Sequence, residues 1–287
     1  MRVLYVYDSG CNIEYLSKTL KVLEKQQKIK LITKNLFEYD KFIQNYYDVL
    51  IYQTYPEVNH RSKFNGDLIK RTDRKFLLFQ KHKILFDAHD DGDRDAFERF
   101  DKSIPRIKNA PSFFYYRNYN VILETTYPIS IIGDYEQKKS GINYSVTTGR
   151  YHHTIRENVK RALELSGIQI DMQWRKNYRD HLNKTLICIA VPGYGEGTFR
   201  HLEALNAGCL LLAYDTIEDI QLLPHEDLIP DEDYVLFNEH NLEEKLKFLL
   251  KNRNVIDKIR LSGQKKFFNG YSYEKSAEKL FERMGEL

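Results

Sequence analysis

The sequence predicts an α/β protein made of two doubly wound, parallel-sheet domains. Three observations carry that expectation. Short apolar runs of strand length alternate with helical patterns along most of the chain. Most of these runs stop at a polar or glycine-containing break, as parallel strands buried on both faces do. The 287 residues suit two units of about 140 residues each, every one large enough to bury a core.

The elements follow in order. Val3-Leu4-Tyr5-Val6-Tyr7 reads as the first strand, broken at Asp8-Ser9-Gly10. Ile13, Leu16, Leu20 and Leu23 have helical spacing and predict a helix over 13–26. Strands follow at 30–33 and 48–53, the second closed by Tyr55-Pro56, then a helix over 67–81. Lys83 to Ala88 is a strand running into His89-Asp90-Asp91-Gly92-Asp93, and Val121 to Glu124 is the last strand of this half. The polar stretch 133–141 reads as a linker, and the alternation resumes at Tyr144 to Arg150. A helix over 153–166, a short strand near 169–172 and a small helix at 178–182 lead to the apolar strand Leu186 to Val191. Pro192-Gly193, a helix over 199–207, a strand at 210–213 and helices over 241–250 and 255–268 complete this half. The expected domains are therefore 1–136 and 141–270, with a terminal helix, 271–287, packing back toward the first.

Charge and cysteine content exclude some classes. Forty-four Lys and Arg against 41 Asp and Glu give a net charge of +3, which is no polycation and points to no nucleic-acid partner. Cys11, Cys188 and Cys209 are far apart and include no CxxC, so neither a disulfide framework nor a zinc site is indicated. No segment approaches the roughly 18 uncharged apolar residues of a membrane span. The N-terminus reads as a strand rather than a leader, so a cytoplasmic protein is expected, of a cell or of a host if virus-encoded. The Lys-, Asn-, Ile- and Tyr-rich composition suggests an AT-rich genome. The 21 Tyr and 16 Phe can line a sugar site, but filling cores is their commoner use.

The strongest local signal is Pro192-Gly193-Tyr194-Gly195-Glu196-Gly197-Thr198-Phe199-Arg200-His201-Leu202-Glu203, which follows a strand and opens a helix. Thr198 suits the N-cap and Gly208 the left-handed C-terminal position. The glycines let backbone approach a ligand, and the helix start offers free N–H groups and a favourable dipole to an anion. Arg200 adds a cation, and Glu203 shares its helix face, one turn below, suitably placed for a ribose diol. The plainer reading is a helix packed on a sheet through Phe199, Leu202 and Leu205.

The runs "TFRHLEALNAGC", "SVTTGRYHHTIRENV", "YRDHLNKTLICIAVPG" and "LIPDEDYVLFNEHNLEEKLKFLLKN" resemble the nucleotide-sugar half of GT-B glycosyltransferases. They are closest to the group-1 and spore-maturation-like branches, with some likeness to exostosin domains, over about 143–280. The resemblance implies two Rossmann-like domains facing a cleft, and transfer of a sugar from a nucleotide diphosphate to a glycan or glycoprotein hydroxyl. UDP-sugar is the favoured donor and GDP-sugar the alternative; no cofactor is required. It places Gly195, Gly197 and Thr198 at the donor diphosphate, with Arg200, Arg150 and Arg156 as its cations and Glu203 on the ribose. Fixed cations and amide dipoles would stabilise the departing diphosphate without a metal. The plainer role for Arg150 and Arg156 is a surface pair with Glu157 or Glu164.

Parallel sheets bind ligands at the carboxyl ends of their strands. In the first half that rule selects Asp8 and Gly10 after the first strand, and His89, Asp90 and Asp91 after a later one. The second cluster resembles the "HD" position of group-1 enzymes, where the histidine lies near the transferred sugar. Asp91, His89, Asp90 and Asp8 are candidate bases for the acceptor hydroxyl, with Asp73 and Asp67 behind them. A solvated turn is the plainer reading of Asp91-Gly92. The Asp87–Asp95 cluster could instead hold Mn²⁺ or Mg²⁺, in the manner of Asp-x-Asp enzymes, and metal is the second choice. Rival readings are an epimerase, a phosphorylase, a non-catalytic nucleotide-sugar-binding protein and a nucleic-acid-modifying glucosyltransferase. A phosphorylase would want a donor-site lysine, and none lies between Val191 and Leu223.

Overall fold

The structure, a computed structural model, describes residues 1–7, 14–53, 66–88, 99–131, 139–146, 153–172, 178–193 and 196–287. It divides into two compact units, one of Met1–Pro128 with Ser272–Leu287, the other of Ile129–Tyr271.

The first unit holds six strands: β1 (Arg2–Tyr7), β2 (Lys30–Asn35), β3 (Val49–Tyr52), β4 (His82–Asp87), β5 (Arg106–Asn109) and β6 (Val121–Thr125). They form one parallel sheet in the order β2-β1-β3-β4-β5-β6, so the winding reverses at β1. Between them run α1 (Glu14–Lys25), α2 (Leu36–Asp40), α3 (Gly66–Leu77) and α4 (Phe113–Asn118). Both faces of the sheet are buried, as continuous apolar strands require. Leu4, Val6, Leu50, Tyr52 and Leu85 pack with Leu36, Tyr39, Ile69 and Phe76 on the face toward α2 and α3. Val3, Tyr5, Ile51 and Phe86 turn to the other face, against Leu16, Leu20 and Leu23 of α1.

The second unit holds β7 (Ser140–Asn143), α5 (His153–Leu165), α6 (Tyr178–Lys184), β8 (Thr185–Ala190), α7 (Phe199–Ala207) and β9 (Leu210–Tyr214). It continues through β10 (Val235–Phe237), α8 (Leu242–Lys251) and α9 (Arg253–Gly270). Its sheet is parallel in the order β10-β9-β8-β7. Ile187, Ile189, Leu210, Leu212 and Val235 form its core with Val159, Leu163, Leu246 and Ile256. The last helix, α10 (Tyr273–Glu286), returns to the first unit, where Ala277, Leu280 and Met284 join the cluster on the α1 face.

Several expected elements need correction. A strand not anticipated, Ser140–Asn143, begins within the stretch read as a linker; of the run expected next, Tyr144 to Val146 are not in a strand and 147–150 lie outside the described residues. Gly141 there has φ +73°, and its polar neighbours hid the strand. The short strand near 169–172 reduces to one bridge, Asn143 to Asp171. Three elements were not anticipated within the first unit: α2, α4 and β5. β5 escapes a hydrophobic-pattern reading because Arg106 and Lys108 are its buried side chains on one face. Lys108 Nζ lies 3.4 Å from Asp87 Oδ1, and the Arg106 guanidinium stacks 5.1 Å from the Tyr119 ring centroid.

Candidate functional site

The site grows from the strand β8, whose six residues are all buried and end at Val191-Pro192-Gly193. The backbone then turns into α7. Thr198 is the N-cap with extended φ and ψ, and Gly208 at φ +67° terminates the helix. The Thr198 N–H donates to His201 Nδ1 (3.1 Å), and the Thr198 hydroxyl lies 3.0 Å from the same nitrogen. Histidine at the third helical position thus does the work of the Glu or Gln in a capping box. Burial lowers the His201 pKa to about 4, so the ring is neutral at pH 7 and its Nε2 carries the hydrogen. That Nε2 is buried with no hydrogen-bond partner.

Gly193 is needed where it stands. A Cβ there would lie 2.8 Å from Thr198 Cγ2 and 3.4 Å from Arg156 Nη2. Arg156, on α5, is brought over this loop by its Nε donating to Pro192 O (2.8 Å). Tyr144 Oη donates to Arg156 O (2.9 Å) and so fixes the first turns of α5 to the end of β7. A cation and a helix N-terminus therefore converge on one carboxyl-end loop, a setting that favours an anion.

Arg200 takes a different direction from the one its sequence position suggested. Its Nη1 donates to Asn143 Oδ1 (3.1 Å), and its guanidinium lies 4.8 Å from the Tyr178 ring centroid. Asn143 is fully buried at the end of β7 and is a hub. Its Nδ2 donates to Ser145 Oγ (2.9 Å) and lies 3.2 Å from His181 Nε2, which is 3.1 Å from Asp171 Oδ2. Glu203, one turn along α7, is half-buried; burial raises its pKa, and Arg200, Tyr178 and Arg179 pull it back. Arg200 and Glu203, both half-buried on α7, attract each other.

Of the residues singled out in sequence, Arg156, Gly197, Thr198, Arg200 and Glu203 belong to this one neighbourhood of the second unit. Arg150 and Gly195 lie outside the described residues, as do Asp8, Gly10, His89, Asp90 and Asp91. Asp73 lies in the first unit on α3, where Arg99 Nε (2.6 Å) and Tyr52 Oη (2.7 Å) both donate to its carboxylate. Asp87, the described member of the acidic cluster, is likewise engaged: Lys108 pairs with it, and Tyr115 Oη donates to Oδ2 (3.0 Å). Among the described residues no group of three or more His, Cys, Asp or Glu is arranged to hold a metal. Asn143, Tyr178 and His201 were not anticipated. Only His201 left a sequence signal, its three-residue spacing from an N-cap threonine.

Residues 148–282 match the family described as glycosyl transferase-like. HepE from Anabaena, solved in complex with UDP, is 9% identical over 100% of both chains with a TM-score of 0.61. A glycosyltransferase from Rickettsia africae is 12% identical over 99% of this chain and 98% of that one, with a TM-score of 0.59. Sucrose-phosphate synthase from Thermosynechococcus elongatus is 10% identical over 100% of this chain and 99% of that one, at 0.57. No curated protein matches in sequence. With two parallel sheets and GT-B enzymes as structural neighbours, the protein has the GT-B fold, and its residues 148–282 are similar to the glycosyl transferase-like family.

Proposed function

We propose that the protein transfers a sugar from a UDP-sugar to a hydroxyl of a glycan or glycoprotein, without a metal. The observation that carries this reading is the convergence of Arg156 and the start of α7 on the loop after β8, with Glu203 one turn along the helix. The solved complexes of HepE with UDP, and with UDP and glucose, support the choice of nucleotide.

In the reaction the acceptor oxygen bonds to the anomeric carbon as the bond from that carbon to the diphosphate breaks. The electron pair of the broken bond leaves on the β-phosphate oxygen, and the acceptor proton passes to a base. Charge therefore grows on the diphosphate, and groups fixed beforehand around it lower the barrier. Arg156, the N–H groups near Gly195 and Gly197, and the Thr198 hydroxyl take this role. Arg200, turned toward Asn143 and Tyr178, attracts Glu203, which takes the ribose diol. From their sequence positions alone, His89, Asp90, Asp91 or Asp8 is assigned the acceptor proton, and Gly10 and Arg150 are assigned to donor binding.

The test is UDP release from a panel of UDP- and GDP-sugars with candidate acceptors, for wild type, His89→Ala and Asp91→Asn, with EDTA or with Mn²⁺. Turnover with a UDP-sugar in EDTA, reduced about 100-fold or more in one variant, is expected for loss of general base catalysis. Turnover only with Mn²⁺ would replace the metal-free reading.

A further inference from the structure

The polar neighbours of Asn143 meet at a single ring nitrogen. His181 Nε2 lies 3.2 Å from Asn143 Nδ2 and 3.1 Å from Asp171 Oδ2. An amide nitrogen only donates and an ionised carboxylate only accepts, so one ring nitrogen cannot serve both. Asn143 cannot resolve the conflict by exchanging its amide ends. Its Oδ1 accepts from Arg200 Nη1 (3.1 Å), and a guanidinium has donors alone. The hydrogen therefore belongs on His181 Nε2, which donates it to Asp171. Asn143 Nδ2 keeps Ser145 Oγ (2.9 Å) and Asp171 O (3.4 Å) as its acceptors.

This pairing fastens three segments of the second unit. Asp171 is bridged to the end of β7: its N–H donates to Ile142 O and its carbonyl accepts from Tyr144 N–H, both at 2.9 Å. His181, on α6, accepts at its own carbonyl from the Thr185 hydroxyl (2.9 Å), at the start of β8. The ring thus closes one side of Asn143, which is fully buried. The His181 and Asp171 side chains are 24% and 22% exposed, so they stand between Asn143 and solvent. Removing the ring opens that side to water, and Oδ1 is then no longer committed to Arg200.

We propose that His181 is a positioning residue for the ribose of the nucleotide: through Asp171 and Asn143 it fixes Arg200, and through Arg200 the carboxylate of Glu203. The inference rests on the reading of Glu203 as the group that takes the ribose diol.

Calorimetric titration of UDP and of 2′,3′-dideoxy-UDP into wild type, His181→Ala and His181→Gln tests this. Dideoxy-UDP lacks the diol, so only UDP senses where the Glu203 carboxylate stands. His181→Ala should bind UDP about five-fold more weakly and dideoxy-UDP as wild type does. Glutamine carries an amide N–H near the place of Nε2, so His181→Gln should recover most of the UDP affinity. Asp171→Ala should show the same selective loss, and it replaces His181→Ala if circular dichroism shows that variant unfolded. An equal loss for both nucleotides, no loss for either, or a glutamine variant as weak as alanine overturns the positioning role. Wild type that binds neither nucleotide, or both alike, overturns the ribose reading itself and the role of His181 with it.

Discussion

At the scale of single residues, the site depends on side chains that never reach the surface loop. Asn143 accepts from Arg200 and donates to Ser145, so its removal takes one partner from a buried guanidinium and one from a buried hydroxyl at once. Asn143→Ala should therefore cost about 1–3 kcal/mol, measured by urea unfolding; no loss would mean that Arg200 finds another partner. His201 gives a pH signature. Its folded pKa of about 4 lies below the unfolded value near 6.5, so the unfolded state binds the proton more tightly. The stability it lends is complete above pH 6.5 and is lost as pH falls toward 4, by about 3 kcal/mol over that window. Wild type should lose more stability across it than His201→Gln, which keeps a capping side chain without a titrating ring. Equal pH profiles would contradict the buried neutral imidazole. Sequence reading reached Arg200 and Glu203 because they sit in order on a helix that opens after a glycine-rich loop. It could not tell that Arg200 turns inward, since that depends on Asn143, 57 residues earlier in the chain.

At the scale of elements, legibility follows the chemistry of burial. The helix at Phe199–Ala207 and the strand at β8 stood out because apolar periodicity, cap and glycine all agree there. β5 did not, because its buried Arg106 and Lys108 are satisfied by Tyr119 and Asp87, residues far from it in sequence. α2 was legible but passed over: Asn35 and Glu38 form a reciprocal capping box, with Glu38 N donating to Asn35 Oδ1 at 2.9 Å. α9 shows the converse, a glycine inside a helix where propensity alone would prefer alanine. A Cβ on Gly263 would lie 2.2 Å from Asp233 O and 2.9 Å from Leu205 Cδ2. Gly263→Ala should thus destabilise by about 1–3 kcal/mol from overpacking, despite a helix-propensity gain of about 1 kcal/mol. A raised melting temperature would show that α9 shifts freely away from α7 and the Asp233 turn.

At the scale of the whole molecule, two parallel sheets divide the chain, and the last helix rejoins the first unit after the second is complete. Alternating apolar runs were enough to read that architecture, because both sheets bury both faces. The base was less legible: the strand ends that suggest it carry Asp and His types equally suited to turns. The central claim concerns the second unit, that its loop after β8 holds a uridine diphosphate without a metal. Its most direct test is calorimetric titration of UDP and GDP, with and without Mn²⁺, into wild type and Glu203→Ala. The account predicts that UDP binds without metal and that Glu203→Ala weakens it by about 1.5–3 kcal/mol, the worth of a charged hydrogen bond. Failure of both nucleotides to bind, or binding that needs Mn²⁺ and ignores Glu203, would contradict it.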